Sequence, residues 1–290
     1  MSEFPVVWLQ LAGCSGCSVT LLNSPDVAVR SVLLDEIVPG KHVNLRFHPT
    51  LMAASGKPAV EILLGSAAKK DYVLVVEGAV SAAEGGAFGG VGEKDGKHIP
   101  MTEAVTDLAK AAVAVIALGS CAAYGGIPAG EPNVTGCRGV SEYLKTRGVK
   151  TPVVNVPGCP PHPDWFVGTV AGVLLGGLAA IGELDEIGRP KLFYGELIHE
   201  NCPRRPDFDA GKFARKIGDS GCLYLVGCKG PVTSADCPKR MWNGGTNWCV
   251  GANGPCSGCV EPEFPDKFSP LYEKITEERL SRFRAPAKGK

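Results

Sequence analysis

VVWLQLAGCSGC, residues 6 to 17, runs a β-favouring apolar stretch straight into two thiols separated by two residues. The apolar run reads as a buried strand, and Gly13 to Cys17 reads as the turn where that strand ends. A C-x-x-C in such a turn has three readings. It is a thioredoxin-like redox pair, half of a zinc site, or two ligands of an iron–sulfur cluster. Each reading needs different partners, so the other cysteines among the twelve in this 290-residue chain must decide between them.

Outward from that stretch, short apolar runs alternate with helix-like patterns. Candidate strands are 6–11, 42–47, 72–76, 114–118 and 153–156. Candidate helices are 18–30, 58–69, 102–112 and 140–147, then an uncharged stretch from Trp165 to Gly182. This alternation predicts βαβ units and a doubly wound parallel α/β sheet, in which ligands gather beyond the carboxyl ends of the strands. The stretch 165–182 just reaches the length of a membrane span. It holds five glycines and directly follows PGCPPHPD, so a buried helix is expected. Past Pro190 the periodicity stops, and seven cysteines fall between there and Pro262. A segment with so little ordinary core is organised economically by bound metal. The expected domains are therefore 1–188 and a small irregular one, 189–290, whose basic tail frays.

Composition narrows the function. Thirty basic and thirty acidic residues give a formal net charge of zero, which removes the electrostatic case for nucleic acid or an anionic membrane. Cysteine density is below that of a small disulfide scaffold. MSEFPVVWLQ has no charged n-region, apolar h-region or paired arginines, so a cytoplasmic protein is expected. The Gly-rich stretch Glu77–Lys97 contains neither a G-x-G-x-x-G opening a helix nor a P-loop, so it reads as a surface loop or as backbone packed against a cofactor or second chain.

Cys14 and Cys17, Cys121 in VAVIALGSC and Cys159 in PVVNVPGC each follow a candidate strand. Three strand ends thus aim four thiols at one sheet edge, the number a cubane cluster or a structural zinc takes. A redox pair would need neither Cys121 nor Cys159. A second set is His199 and Cys202 in HENC with Cys222 and Cys228 in GCLYLVGC; zinc stays open for this quartet alone. A cluster with an imidazole in place of one thiolate would lose a negative charge and rise in potential. The third set is Cys237, Cys249, Cys256 and Cys259. Cys137 is left over and reads as a small buried thiol.

On these motifs the chain resembles the small, electron-transferring subunit of a nickel–iron hydrogenase. The resemblance runs nearly end to end through GCSGC, HPTLMAASG, VVEGAV, GSCAAYGG, NVTG, VPGCPPHPDW, HENCPRR, GCKGPVTSADCPK and PCSGCVEPEFPD. It implies a flavodoxin-like domain with a proximal [4Fe–4S] cluster on Cys14, Cys17, Cys121 and Cys159, followed by a small iron–sulfur domain. That domain would carry a distal cluster on His199, Cys202, Cys222 and Cys228, and a medial one. Glu77 matches a carboxylate near the proximal cluster. Many relatives have a three-iron medial cluster with Pro at the position of Cys249. The thiol here implies a third [4Fe–4S] cluster, or [3Fe–4S] if Cys249 does not ligate. Gly16 and Gly126 stand where oxygen-tolerant relatives carry two extra cysteines, so a six-cysteine proximal cluster is not expected. The implied partners are a large subunit, which holds the nickel–iron centre, and an external electron acceptor or further redox subunit. The rivals are the related cluster-bearing subunit of complex I, which lacks the HENC domain, a free-standing multi-cluster ferredoxin-like carrier, and a zinc-stabilised interaction protein.

Overall fold

The computed structural model describes residues 2–24, 41–274 and 276, and the chain divides into two compact units, Met1–Pro190 and Lys191–Lys290. In the first unit β1 (Ser2–Gln10) leads through Cys14 into α1 (Gly16–Leu22). Then come β2 (Lys41–Phe47), α2 (Gly56–Lys69), β3 (Val73–Glu77), β4 (Val80–Ser81), β5 (Gly90–Lys94) and β6 (Lys97–Pro100). They are followed by α3 (Met101–Ala111), β7 (Ala114–Leu118), α4 (Ser120–Tyr124), β8 (Cys137–Arg138), α5 (Val140–Thr146), β9 (Val153–Val156) and α6 (Pro163–Gly176).

Five strands form one parallel sheet in the order β2-β1-β3-β7-β9. Counting only those strands, this is 2-1-3-4-5, the flavodoxin-like order. Alternate side chains sort to opposite faces, as the two-residue strand period requires. Val7, Leu9, Leu74, Val76, Val115 and Ala117 join Leu63 of α2, Val105 and Leu108 of α3 and Leu144 of α5 in one core. On the other face Trp8 meets Phe166 of α6 edge-on at 5.1 Å. β3 and β7 are apolar without alternation because helices cover both faces, whereas the edge strand β2 alternates polar and apolar residues.

The long uncharged stretch is α6 and a 3-10 turn to Ile181. By length and composition it could cross a membrane, yet Trp165, Phe166, Val170, Val173 and Leu174 are buried within the protein. Pro163 opens α6 without losing a helical donor, and Gly177, at φ 70°, closes it. Of the candidate helix 18–30, the described part is α1; residues 25–30 lie outside the described residues.

One expectation is corrected. The Gly-rich stretch is not simply a loop: β5 and β6 pair as an antiparallel hairpin, and β4 pairs with β8. The hairpin turns on Asp95 and Gly96, both with positive φ (51° and 74°), the pairing a tight two-residue turn demands.

Among the described residues the second unit has only short helices, α7 (Lys191–Tyr194), α8 (Arg205–Asp209) and α9 (Cys237–Arg240), among turns and 3-10 turns. Its interior is a handful of large side chains: Phe193, Tyr194, Ile198, Trp248, Val260, Phe264 and Phe268. Runs too short and aperiodic to bury a helix face leave the backbone to side-chain and turn contacts.

Candidate metal centres

Because the sheet is parallel, the ends of β1, β3, β7 and β9 lie on one edge, and the first four cysteines follow three of them. Cys14 and Cys17 flank the start of α1, Cys121 lies in α4 directly after β7, and Cys159 comes three residues after β9. The exits of β7 and β9 are laced together. Gly119 N donates to Val156 O (2.9 Å), Ser120 N to Gly158 O (2.9 Å) and Gly158 N to Ser120 Oγ (3.0 Å). Gly119 has φ 87° and ψ 158°, a region open essentially to glycine alone. A Cβ there would stand 2.4 Å from the Cys17 sulfur.

The four thiols are neighbours, and three of them, Cys17, Cys121 and Cys159, are raised by burial and by the charges of the others. Burial pushes Cys17 far up, and the charges of Glu77, Cys121, Cys14 and Cys159 push it further. Burial and then Cys159 take Cys121 up to about 11, and burial followed by Cys14 raises Cys159. Cys14 and Cys159 are nonetheless exposed at the edge.

Glu77 ends β3 between β1 and β7, is 3 % exposed, and is met by five donors. Oε1 accepts from Cys17 N (3.0 Å) and Ser18 N (3.1 Å); Oε2 accepts from Ser18 Oγ (2.5 Å), Trp8 Nε1 (3.0 Å) and Gln10 Nε2 (3.2 Å). The carboxylate thus closes the first turn of α1 in place of a local cap and ties the C-x-x-C turn to two strands, β1 and β3. Each charge-assisted bond of this kind contributes about 1.5–3 kcal/mol. Ser18 Oγ also lies 3.2 Å from His48 Nε2, whose Nδ1 is 3.1 Å from Thr50 Oγ1.

In the second unit His199, Cys202, Cys222 and Cys228 line one cavity with Arg204, Tyr224 and Gly230. The His199 ring meets Phe208 edge-on, with centroids 4.5 Å apart, and Phe208 packs on Phe213 and Tyr224. Burial, then Cys256, takes the Cys228 thiol up to about 12. Burial also raises Cys202 and Cys222, while the Arg204 guanidinium pulls both down. Arg204 is held by Gly221 O at 2.9 Å and by Asn253 Oδ1.

Of the last four cysteines, Cys256 lies next to this set: its charge acts on Cys228 and its carbonyl accepts from Lys229 N at 2.7 Å. Cys256 shares a hydrogen bond with Cys249, which with burial pushes it well up; burial, then Cys259 and Cys256, does the same to Cys237. Cys249 is exposed. Cys137, by contrast, sits buried in β8 with its sulfur 3.3 Å from Thr135 Oγ1.

This donor chemistry fits iron–sulfur clusters. Burial and neighbouring thiols disfavour the thiolate at Cys17, Cys121, Cys159, Cys228 and Cys237, and a cationic iron core offsets both effects. Among the described residues no three His, Cys, Asp or Glu side chains form a group suited to one metal ion. Sequence reasoning missed Trp8, Ser18, His48, Arg204 and the buried Lys229. The HPT that follows β2 was the one legible signal, since it ends a strand of the same sheet.

The family model for the C-terminal part of the NiFe/NiFeSe hydrogenase small subunit matches residues 194–272, and that of the "NADH ubiquinone oxidoreductase, 20 Kd subunit" matches 14–173. The periplasmic [NiFeSe] hydrogenase small subunit of Desulfomicrobium baculatum is 47 % identical, over 92 % of this chain and 86 % of its own. The periplasmic [NiFe] hydrogenase small subunit of Solidesulfovibrio fructosivorans is 44 % identical, over 93 % and 81 %. A solved D. baculatum [NiFeSe]-hydrogenase chain superposes with a TM-score of 0.88 at 44 % identity, covering 95 % of this chain and all (100 %) of that one. The expectation of a cytoplasmic protein is corrected by these relatives, several of which are periplasmic. An N-terminus cannot carry that inference, because export leaders are removed from mature chains.

Proposed function

This chain belongs to the family of nickel–iron and nickel–iron–selenium hydrogenase small subunits, and on that premise we propose which residues hold its iron–sulfur clusters. It is the electron-transfer subunit of a hydrogenase, an oxidoreductase, and the free-standing carrier is set aside. The match to the hydrogenase model over 194–272 also sets aside the complex I relative.

Cys14, Cys17, Cys121 and Cys159 hold the proximal [4Fe–4S] cluster. His199, Cys202, Cys222 and Cys228 hold the distal one, and Cys237, Cys249, Cys256 and Cys259 the medial one, as a third [4Fe–4S]. The observation that carries this is the convergence of four buried or edge thiols from three strand ends, around a glycine that makes room for one sulfur. Bound clusters supply one-electron carriers of tuned potential. The chain's own residues do the rest. Glu77 fixes the C-x-x-C turn, Phe208 orients the His199 ring, and Arg204 favours the thiolate forms of Cys202 and Cys222. In the second unit, Cys256 adjoins both Cys249 and Cys228, which brings the two candidate ligand sets together.

The partner is the hydrogenase large subunit, seated over the sheet edge that carries the first cysteines. Val19 and Leu22 of α1, Phe88, Ile127 and Val134 are exposed apolar side chains near those cysteines in the chain or in the Gly-rich stretch. Apolar surface of this kind marks an obligate interface. The test is purification with and without the large subunit. The heterodimer should carry about 13 iron atoms, about 12 in three clusters and one in the partner's nickel–iron centre, and absorb at roughly 400 nm as clusters do. A colourless, stable monomer retaining hydrogenase activity would overturn the proposal.

A further inference from the structure

Lys229 follows Cys228 in GCKGP and is 1 % exposed, among the most deeply buried large side chains of the protein. Its Nζ donates to Leu271 O (3.2 Å) and Glu273 O (2.8 Å). Lysine has three donors and no acceptor, so a buried Nζ aimed at carbonyl oxygens is held as an ammonium whose lost water is replaced by peptide dipoles. Its main chain is equally committed. Lys229 N donates to Cys256 O at 2.7 Å, and its carbonyl accepts from Thr233 Oγ1 (2.7 Å) and Val232 N (3.0 Å).

Two candidate ligand sets therefore meet at this residue: Cys228 precedes it in the chain and Cys256 is bonded to its amide. A second observation concerns Gly227, at φ 103°. A Cβ there would lie 2.6 Å from Leu271 O and from the Tyr272 main chain. The segment 271–273 thus lies directly on the Cys228 turn, and Lys229 reaches into it from below.

We propose that Lys229 is a positioning residue. It latches residues 271–273 onto the Cys228 turn and keeps a buried positive charge between the two cluster sites of the second unit. A fixed cation stabilises the more negative, reduced state of a nearby cluster, and burial keeps water and salt from screening it. The charge therefore raises the reduction potential on the Cys228 side. This inference rests on the cluster assignment above.

The experiment uses the two-subunit holoenzyme carrying Lys229→Met, Lys229→Gln or Lys229→Arg. Iron is counted, clusters are titrated with redox mediators under electron paramagnetic resonance, and the 271–273 segment is probed by limited proteolysis. In the neutral variants the reduced-to-oxidised ratio of the distal cluster at a fixed potential should fall about tenfold, which for one electron is about 59 mV. Lys229→Arg should stay near wild type, and proteolysis near 271–273 should quicken in the neutral variants. A neutral variant with full iron and an unchanged titration overturns the proposal. Where both neutral variants lose clusters, retention in Lys229→Arg supports the need for charge, and loss in all three assigns Lys229 to packing alone and overturns it. Failure of the underlying assignment shows separately, as wild-type holoenzyme without cluster signals from the second unit.

Discussion

Gly119→Ala tests the first centre at its tightest point. The backbone there has φ 87° and ψ 158°, and a residue with a Cβ held in that region costs about 1–3 kcal/mol. The new methyl would also lie 2.4 Å from the Cys17 sulfur, against an ordinary contact of about 3.4 Å or more. The sulfur must then retreat by about 1 Å, and a metal–sulfur bond of about 2.3 Å does not stretch so far. Helix α1 cannot follow freely, because Glu77 holds the amides of Cys17 and Ser18. The variant holoenzyme should therefore lose one cluster of three, with iron falling from about 13 to about 9 atoms, the partner's nickel–iron centre included, while the signals of the second unit persist. Gly148→Ala is the control: its φ of 68° is also positive, but nothing lies within 4 Å of the added methyl. It should show backbone strain of about 1 kcal/mol in thermal unfolding and full iron. Full iron and an unperturbed proximal signal in Gly119→Ala would refute the argument that this glycine exists to seat the Cys17 thiolate.

Cys249→Pro should remove one iron, leaving about 12 in the holoenzyme, and produce a stoichiometric three-iron signal in the oxidised enzyme; the same signal already present in wild type would mean that Cys249 binds no iron. His199→Ala should slow reduction of external dyes more than hydrogen isotope exchange at the partner's centre, and equal slowing of both would count against an exit role. Burial pushes His48 down to about 4, against the pull of Glu77. The folded form is thus neutral where an unfolded imidazole, near ~6.5, already binds a proton. Stability should accordingly fall as pH drops from about 6.5 towards 4 and level off below. Thermal unfolding of wild type beside His48→Gln checks this, since the variant should lose less over that window.

Much of this protein was legible before any coordinates. The central strands β3 and β7 show as continuous apolar runs because both sheet faces are covered, while the edge strand β2 shows by its polar–apolar alternation. The thiols were legible because ligand chemistry belongs to the residue type, and a C-x-x-C turn or a cysteine just past a strand is a local covalent fact. Asp95-Gly96 was legible too and went unread, a turn signal lost inside a glycine-rich stretch. What no local pattern could supply were the contacts that depend on strand order. Resemblance places Glu77 near the first cluster, but only the 2-1-3-4-5 sheet, which puts β1 beside β3, brings Trp8, Gln10 and the Cys17 amide onto its carboxylate across some sixty residues of chain. Likewise nothing local to Lys229 marks it as buried; Leu271 and Glu273, some forty residues on, accept its ammonium. Residue type and spacing decide which atoms can bind iron, because those are properties of short stretches of chain. Only the tertiary structure decides which charges and donors surround them, because in a parallel sheet neighbours in space are strangers in sequence.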